Sequence, residues 1–245
     1  MTTPLQKQTP AAQRLSPFHH KQSSLGAKFS SDEFGWVLAE KFVESDKEKE
    51  ATERGVGLAD LSHLAKLKLN GRGLTAVISQ RFHTSGNYSK GQLLIEGNGL
   101  YKNTLCAALS MDEAMLILRE SLKEQVIKDL TMDEPARLTL VDISSTLAGF
   151  GIIGPNGRAL LRKLTELNVN AEDFPNLSVT HTPIRHVPTI ILRSDTGSLL
   201  AYQLYFERAY AEFMWDVALS AGKELGLVPL GSSTSKSLGV GWGEA

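Results

Sequence analysis

The sequence predicts an α+β protein built from two pseudo-symmetric lobes with antiparallel or mixed sheets and packed helices. Three observations carry that prediction: a motif that occurs twice, an explicit glycine-rich hairpin, and strand and helix patterns that mix without regular βαβ alternation. The first copy of the motif is Ala59-Asp60-Leu61-Ser62-His63-Leu64, running on through Ala65-Lys66-Leu67-Lys68-Leu69-Asn70-Gly71. The second is Val141-Asp142-Ile143-Ser144-Ser145-Thr146, running on from Leu147 to Gly154. Each copy reads hydrophobe-Asp-hydrophobe-Ser, then an extended apolar stretch, a glycine and a leucine-rich helical pattern. The second is one residue longer, as a bulge would make it. Two copies of one supersecondary unit predict two related halves, with a ligand cleft at the seam between them.

Bulk properties narrow the class. A chain of 245 residues buries a sizeable core, and 42% hydrophobic with 22% charged residues is ordinary for a globular domain. The net charge of −1 and the lack of basic clusters argue against nucleic acid or anionic lipid as a partner. No stretch approaches the roughly 18 apolar residues of a membrane span. The first residues, Met1 to Arg14, lack the apolar run of a signal peptide. A single cysteine, Cys106, excludes an internal disulfide. These features predict a cytoplasmic protein without nucleic-acid or membrane partners.

In chain order, residues 1–15 read as a disordered tail. Ser16-Pro17-Phe18-His19-His20 opens the ordered part, and Phe34-Gly35-Trp36 brings two large rings expected to be buried. The charged run Glu44 to Arg54 predicts a helix with a solvated face, ended by Gly55 and Gly57. Ala65, Leu67 and Leu69 alternate with Lys66 and Lys68, the period of a strand with one wet face. Leu74, Val77 and Ile78 recur at helical spacing. Strands at Gln92–Ile95 and Leu100–Leu109 are expected to meet across Gly97-Asn98-Gly99. Ala114–Leu118 adds a strand and Ser121–Leu130 a helix, and the first lobe, about 16–135, closes at Asp133-Glu134-Pro135.

The second lobe spans about 136–231. Its strand Phe150–Ile153 is apolar throughout and so buried on both faces. Gly154-Pro155-Asn156-Gly157 then leads into a helix with Leu160, Leu161 and Leu164 inward. Val179–Thr182, Thr189–Arg193 and Tyr202–Phe206 are expected strands, followed by a long helix over Tyr210–Leu225 that Gly226 stops. Residues 232–245, rich in Ser and Gly, read as a flexible tail apart from Trp242.

Several segments resemble the folate-binding domain of the aminomethyltransferase (glycine-cleavage T-protein) family. These are Gly55-Val56-Gly57-Leu58-Ala59-Asp60-Leu61-Ser62-His63-Leu64, Ser16 to Ala27 with Gly35-Trp36, Ile152-Ile153-Gly154-Pro155-Asn156-Gly157-Arg158, and Trp215 to Gly231, in order over 16–231. The resemblance implies two pseudo-symmetric lobes around a folate pocket. It also implies the absence of the family's C-terminal β-barrel, since the sequence stops just after the second lobe. Tyr205-Phe206-Glu207-Arg208-Ala209-Tyr210-Ala211-Glu212-Phe213-Met214-Trp215 resembles the closing helix of the barrel-less small subunit of heterotetrameric sarcosine oxidase.

That resemblance also implies the chemistry of the site. The family's catalytic acidic position falls on Lys102-Asn103, where an amide does not exchange a proton near neutral pH, so no catalytic residue is assigned. The pterin-binding glutamates fall on Leu199 and Gln203, and Asp195 reads as a turn residue or a substitute from a shifted loop. The implied folate contacts are Tyr101, Asn103, Arg193, Tyr202 and Gln203, with tetrahydrofolate as cofactor and no metal. Two functions stand open. One is a tetrahydrofolate-binding protein accepting a one-carbon unit from an N-methylated amine or a glycine-derived donor. The other is a noncatalytic subunit of a sarcosine-oxidase-like complex, with flavin-dependent oxidoreductase subunits or another protein as partner.

The remaining polar residues have plain readings. Asp60-Ser62 and Asp142-Ser144 suggest turn or helix capping over catalysis. His63 reads as a packed or surface histidine, the alternative being a base without a readable partner, and Cys106 as inert core.

Overall fold

The computed structural model describes residues 13–83, 88–132 and 138–238. The chain begins with β1 (Arg14–Leu15), α1 (His19–Ser24), β2 (Lys28–Ser31), β3 (Trp36–Lys41) and α2 (Ser45–Arg54). The first motif comes next as β4 (Val56–Asp60) and β5 (Ala65–Gly71), then α3 (Leu74–Arg81), β6 (Leu93–Ile95), β7 (Leu105–Ala108), β8 (Glu113–Leu118) and α4 (Lys123–Thr131). The second motif is β9 (Leu138–Asp142) and β10 (Leu147–Ile153), then α5 (Gly157–Leu164), β11 (Ser178–Ile184), β12 (Val187–Arg193), β13 (Ala201–Glu207), α6 (Ala211–Gly222), β14 (Leu227–Leu230) and α7 (Ser232–Ser237). Three sheets result, in the orders β1-β3-β2, β11-β12-β13-β10-β4-β14 and β6-β7-β8-β5-β9.

The α+β class and its two related halves are present, but the halves exchange strands. β4 of the first copy lies in the six-stranded sheet beside β10, with Asp60 opposite Phe150. β9 of the second copy lies in the five-stranded sheet beside β5, with Asp142 opposite Leu67. Each motif therefore crosses from one sheet to the other, and a division of the chain near residue 135 does not coincide with sheet membership. The expected boundary Asp133-Glu134-Pro135 and Trp242 lie outside the described residues.

The crossing point explains the motif's residue types. Asp60 and Asp142 each accept the backbone N–H two residues on, from Ser62 and Ser144, both at 2.9 Å. Leu61 N–H donates to the Gly149 carbonyl at 2.8 Å, and Ile143 N–H to the Lys66 carbonyl at 2.9 Å. The Ser62 hydroxyl accepts Gly149 N–H at 3.3 Å, and that of Ser144 accepts Lys66 N–H at 2.9 Å. Each serine thus seals the first pairing of the other copy's second strand, the structural role that turn capping implies. This register equates Lys66 with Gly149, so the additional residue of the second copy falls in the turn between Ser144 and Leu147. The pairing of β10 is continuous, and the expected bulge is not there. A turn absorbs an extra residue without moving side chains to the opposite face of a strand. Ser62→Ala and Ser144→Ala, at 0% and 2% exposed sites, are each expected to cost about 1 kcal/mol in urea denaturation. Losses below about 0.3 kcal/mol in both would show that these bonds do not hold the crossing.

The two larger sheets face each other and carry helices on their outer sides. Alternation along β8 makes this explicit: Ala114, Leu116 and Leu118 pack with residues of α3 and α4, whereas Met115 and Ile117 pack with Val179, Leu192 and Tyr205 of the opposing sheet. On the far side, α5 and α6 cover the six-stranded sheet, where Phe18, Phe150, Phe206 and Trp215 form one aromatic cluster. β10 is buried on both faces, as its uninterrupted apolar run predicts. The β11–β12 hairpin turns at Arg185 and His186, whose φ values of 47° and 70° define a tight mirror-image turn, and Pro183 and Pro188 are register partners flanking it.

Four expectations are corrected. Arg14 and Leu15, placed in the N-terminal tail, pair in parallel with Trp36 and Val37, and the Arg14 guanidinium lies 4.4 Å from the Trp36 ring centroid. Phe34 is 38% exposed while Trp36 is buried, because Asp32 caps the N–H groups of both and holds Phe34 at the outer bend. Lys66 is fully buried, since the opposing sheet covers the face expected to be wet. Residues 232–237, expected within a flexible tail, form α7. Its buried anchor is Glu48, whose carboxylate accepts Gly231 N–H at 3.0 Å and the Thr234 hydroxyl.

Candidate functional site

Two of the cavities among the described residues bear on function. The first, of about 370 Å³, lies where the β2–β3 bend, the first motif, Arg119–Ser121 and α7 converge; Phe34, Asp60, His63, Leu64, Glu120 and Lys236 are among its walls. The second, more open and of about 430 Å³, lies beside Arg81, His83, Glu96, Tyr101 and Asp129.

The residues singled out from the sequence fall into two groups on different sheets. Tyr101 reaches the second cavity, where its phenol donates to Asp129 Oδ2 at 2.7 Å and Arg81 Nε donates to the same oxygen at 2.6 Å. Burial and the Asp129 carboxylate push the phenol pKa up. Burial alone would raise Asp129, but the bonds from Tyr101 and Arg81 outweigh it and hold that carboxyl below its usual range. Asn103 sits two residues on with φ 61°, its N–H donating to the Glu96 carbonyl at 2.8 Å, and is on the wall of neither cavity. The Glu96 carboxylate caps His83 N–H at 2.7 Å and Asn98 N–H at 3.0 Å, which shapes the turn that carries both Tyr101 and Asn103.

The other group belongs to neighbouring strands, with Arg193 opposite Tyr202. Arg193 is clamped by Asp195 through Nε at 3.1 Å and Nη2 at 2.7 Å, and its Nη1 donates to the Phe174 carbonyl at 2.7 Å. Asp195 also accepts Ala201 N–H at 3.2 Å, so its carboxylate is taken up in holding the loop. The Tyr202 ring stacks on Phe174 inside the core of the six-stranded sheet. Gln203 points to the opposite side, where its amide oxygen accepts the Tyr205 phenol at 2.7 Å.

Two features escaped sequence reasoning. Lys66 Nζ donates to the carbonyls of Ser62 at 2.9 Å, Ser144 at 3.3 Å and Leu147 at 3.5 Å, joining both motif copies at one ammonium. Burial pushes its pKa down to about 7. Glu120 Oε1 accepts Arg14 at 3.2 Å and Lys123 at 2.6 Å, and Lys123 reaches Asp142 at 3.3 Å. The network joins the N-terminal strand to the second motif. Only the duplicated Asp-Ser pattern hints at Lys66, and nothing local hints at Glu120. Cys106 is buried in the core, where desolvation raises its thiol pKa, which leaves it little thiolate. Among the described residues, no three His, Cys, Asp or Glu side chains converge to hold a metal ion, and no helix is long and apolar enough to cross a membrane.

Two facing sheets, clad by helices and linked by a strand-exchanged duplication, define an α+β protein. The chain belongs to the family of the GCVT N-terminal domain, whose model matches residues 18–241. It is 25% identical over 233 residues to the aminomethyltransferase of Halothermothrix orenii, covering 92% of this chain and 64% of that protein. It is 27% identical to the aminomethyltransferase of Synechococcus elongatus, covering 91% of this chain and 61% of that protein. The chain thus spans less than two thirds of these relatives. In fold it is similar to the glycine cleavage system aminomethyltransferase T of Bartonella henselae, with a TM-score of 0.74, 15% identity, and coverage of 93% of this chain and 62% of that one. It is also similar to a chain of the heterotetrameric sarcosine oxidase of Corynebacterium sp. U-96, with a TM-score of 0.62, 18% identity, and coverage of 88% of this chain and 97% of that one.

Proposed function

We propose that this protein serves tetrahydrofolate-linked one-carbon transfer from an N-methylated amine, and does so as a noncatalytic subunit beside a flavin-dependent amine-oxidising partner. The observation that carries this reading is the chemistry at the positions where the family pattern expects carboxylates, which hold Lys102-Asn103, Leu199 and Gln203. Loss of a positioned acid or base typically costs on the order of 10²–10⁴ in rate. Among the described residues no nearby carboxylate takes its place: Asp129 is engaged by Tyr101 and Arg81, Asp195 by Arg193, and Glu96 by backbone N–H groups. The similarity to nearly the whole of a sarcosine oxidase chain supports the subunit reading.

Family membership favours a second reading, a self-sufficient tetrahydrofolate-binding transferase. Native co-purification together with titration calorimetry separates the two. The expected result is co-elution with a flavoprotein from the source organism, and tetrahydrofolate binding by that complex but not by the isolated chain. A protein that elutes alone and binds tetrahydrofolate stoichiometrically at micromolar concentration would overturn the subunit reading in favour of the transferase.

A further inference from the structure

We infer that Tyr205 is a built-in plug: its ring fills a place between the two large sheets, beside Gln203, that suits one planar heteroaromatic ring carrying a hydrogen-bond donor and an acceptor side by side. The chain's own phenol thereby closes the seam to such a ring. The inference rests on the folate reading at one point only, since the lactam edge of a pterin is of this chemical class. The plug itself stands on packing and hydrogen bonding.

The strands make the place. Along β10, Ala148, Phe150 and Ile152 pack toward the helices, which turns Gly149 and Gly151 to the seam. Those two glycines are the register partners of Tyr205 and Gln203 on β13. Without side chains on β10, a trough runs beside Gln203, and the Tyr205 ring lies in it. A Cβ on Gly149 would stand 2.5 Å from two carbons of that ring. Met115, Ile117, Val179 and Leu192 belong to the same packed cluster as Tyr205, and Lys66 Nζ lies 5.9 Å from its ring centroid. Tyr205 is 1% exposed and Gln203 0%, and neither residue is on the wall of the two cavities described above.

Hydrogen bonding separates this contact from ordinary core packing. The Gln203 carboxamide offers an acceptor and a donor on one planar edge. The Tyr205 phenol donates to its Oε1 at 2.7 Å, and burial raises the phenol pKa, so it stays a donor across the neutral range. Nε2, on the same edge, is buried without a partner among the described residues. A phenol thus pairs with only half of what Gln203 offers, and an unpaired buried donor is costly. A ring with N–H beside a carbonyl pairs with both halves. With its oxygen given to Tyr205, Gln203 has no open edge for a pterin, which agrees with an isolated chain that does not bind tetrahydrofolate.

The test is calorimetric titration of the full chain with 2-pyridone, whose N–H lies beside its carbonyl, against phenol and pyridine. The native protein and Tyr205→Phe, which keep a ring in place, are expected to bind none of the three. Tyr205→Ala opens a ring-sized space and is expected to bind 2-pyridone saturably. That binding should be at least about fivefold tighter than for phenol or pyridine, each of which pairs with one side of Gln203 only. Gln203→Leu added to Tyr205→Ala should abolish the preference. Tyr205→Phe removes one hydroxyl and is expected to lower the folding constant in urea at least about fivefold, a readout that remains if the alanine variant does not fold. Saturable 2-pyridone binding by the native chain, no preference for it in Tyr205→Ala, a preference that survives Gln203→Leu, or an unchanged Tyr205→Phe midpoint would overturn the plug. Any of these leaves the folate reading to the titration of the native complex, whose failure would in turn leave the plug intact.

Discussion

Glu48→Ala is expected to destabilise the protein by at least about 3 kcal/mol and to release α7. Glu48 is 1% exposed, and its two oxygens collect four donors from two distant stretches of the chain, residues 42–43 and residues 231–234. Oε1 accepts Phe42 N–H at 2.6 Å and Val43 N–H at 3.2 Å, while Oε2 accepts Gly231 N–H at 3.0 Å and the Thr234 hydroxyl. Removing the carboxylate leaves these groups unsatisfied, and each buried orphan costs about 1–3 kcal/mol. Gly231 leaves no slack for rearrangement, because its α-carbon packs directly on the Glu40 backbone. Glu48→Gln keeps one acceptor oxygen and should fall between alanine and the native residue. Urea denaturation reads the overall loss, and amide exchange at Ser235 and Leu238, whose N–H groups bond within α7, reads the local one. A Glu48→Ala midpoint within error of the native one would refute this account.

Stability is expected to rise by about 2 kcal/mol between pH 7 and pH 9, with Lys66 as the source. Burial lowers its pKa from the ordinary 10.5 to about 7, so the folded protein releases this proton well below the pH at which the unfolded chain does. Between those values the unfolded state binds more protons, and raising the pH therefore favours folding. The penalty for burying the charge is complete below about pH 7 and fades as the pH climbs toward 10.5. Cys106 and Tyr205 act in the opposite sense at higher pH, since burial raises both and the unfolded chain ionises them first. The gain is therefore confined to the window before they titrate. Lys66→Met should flatten the profile between pH 7 and 9 while leaving three carbonyls without their donor. A native-like slope in that variant would sink the assignment to Lys66.

What the sequence made legible was local. The repeat, the doubly buried Phe150–Ile153 strand and the long helix expected over Tyr210–Leu225 and found over Ala211–Gly222 all arise from composition and period within a short window. The strand expected from Leu100, by contrast, begins only at Leu105, because Gly99–Tyr101 turns as a 3-10 helix. The misses depend on partners far along the chain. Nothing near Ser232–Ser237 predicts order, because the order comes from Glu48. Lys66 occupies a position that alternation assigns to solvent, and only the second sheet covers it. Phe34 turns outward through a cap at Asp32, not through any apolar preference. The cofactor positions rest on family resemblance. The structure sets Tyr101 and Asn103 on one turn and Arg193, Tyr202 and Gln203 on two adjacent strands, a separation no sequence window reveals.

The strand exchange at the two Asp-hydrophobe-Ser crossings has a mechanical consequence. A fragment ending before β9 would strip β4 of β10 and β5 of β9, and one beginning there would strip β10 of β4 and β9 of β5. The duplicated units are thus interlocked like clasped hands. They are therefore expected to melt in concert, since no hinge opens between them without breaking the β4–β10 and β5–β9 backbone ladders.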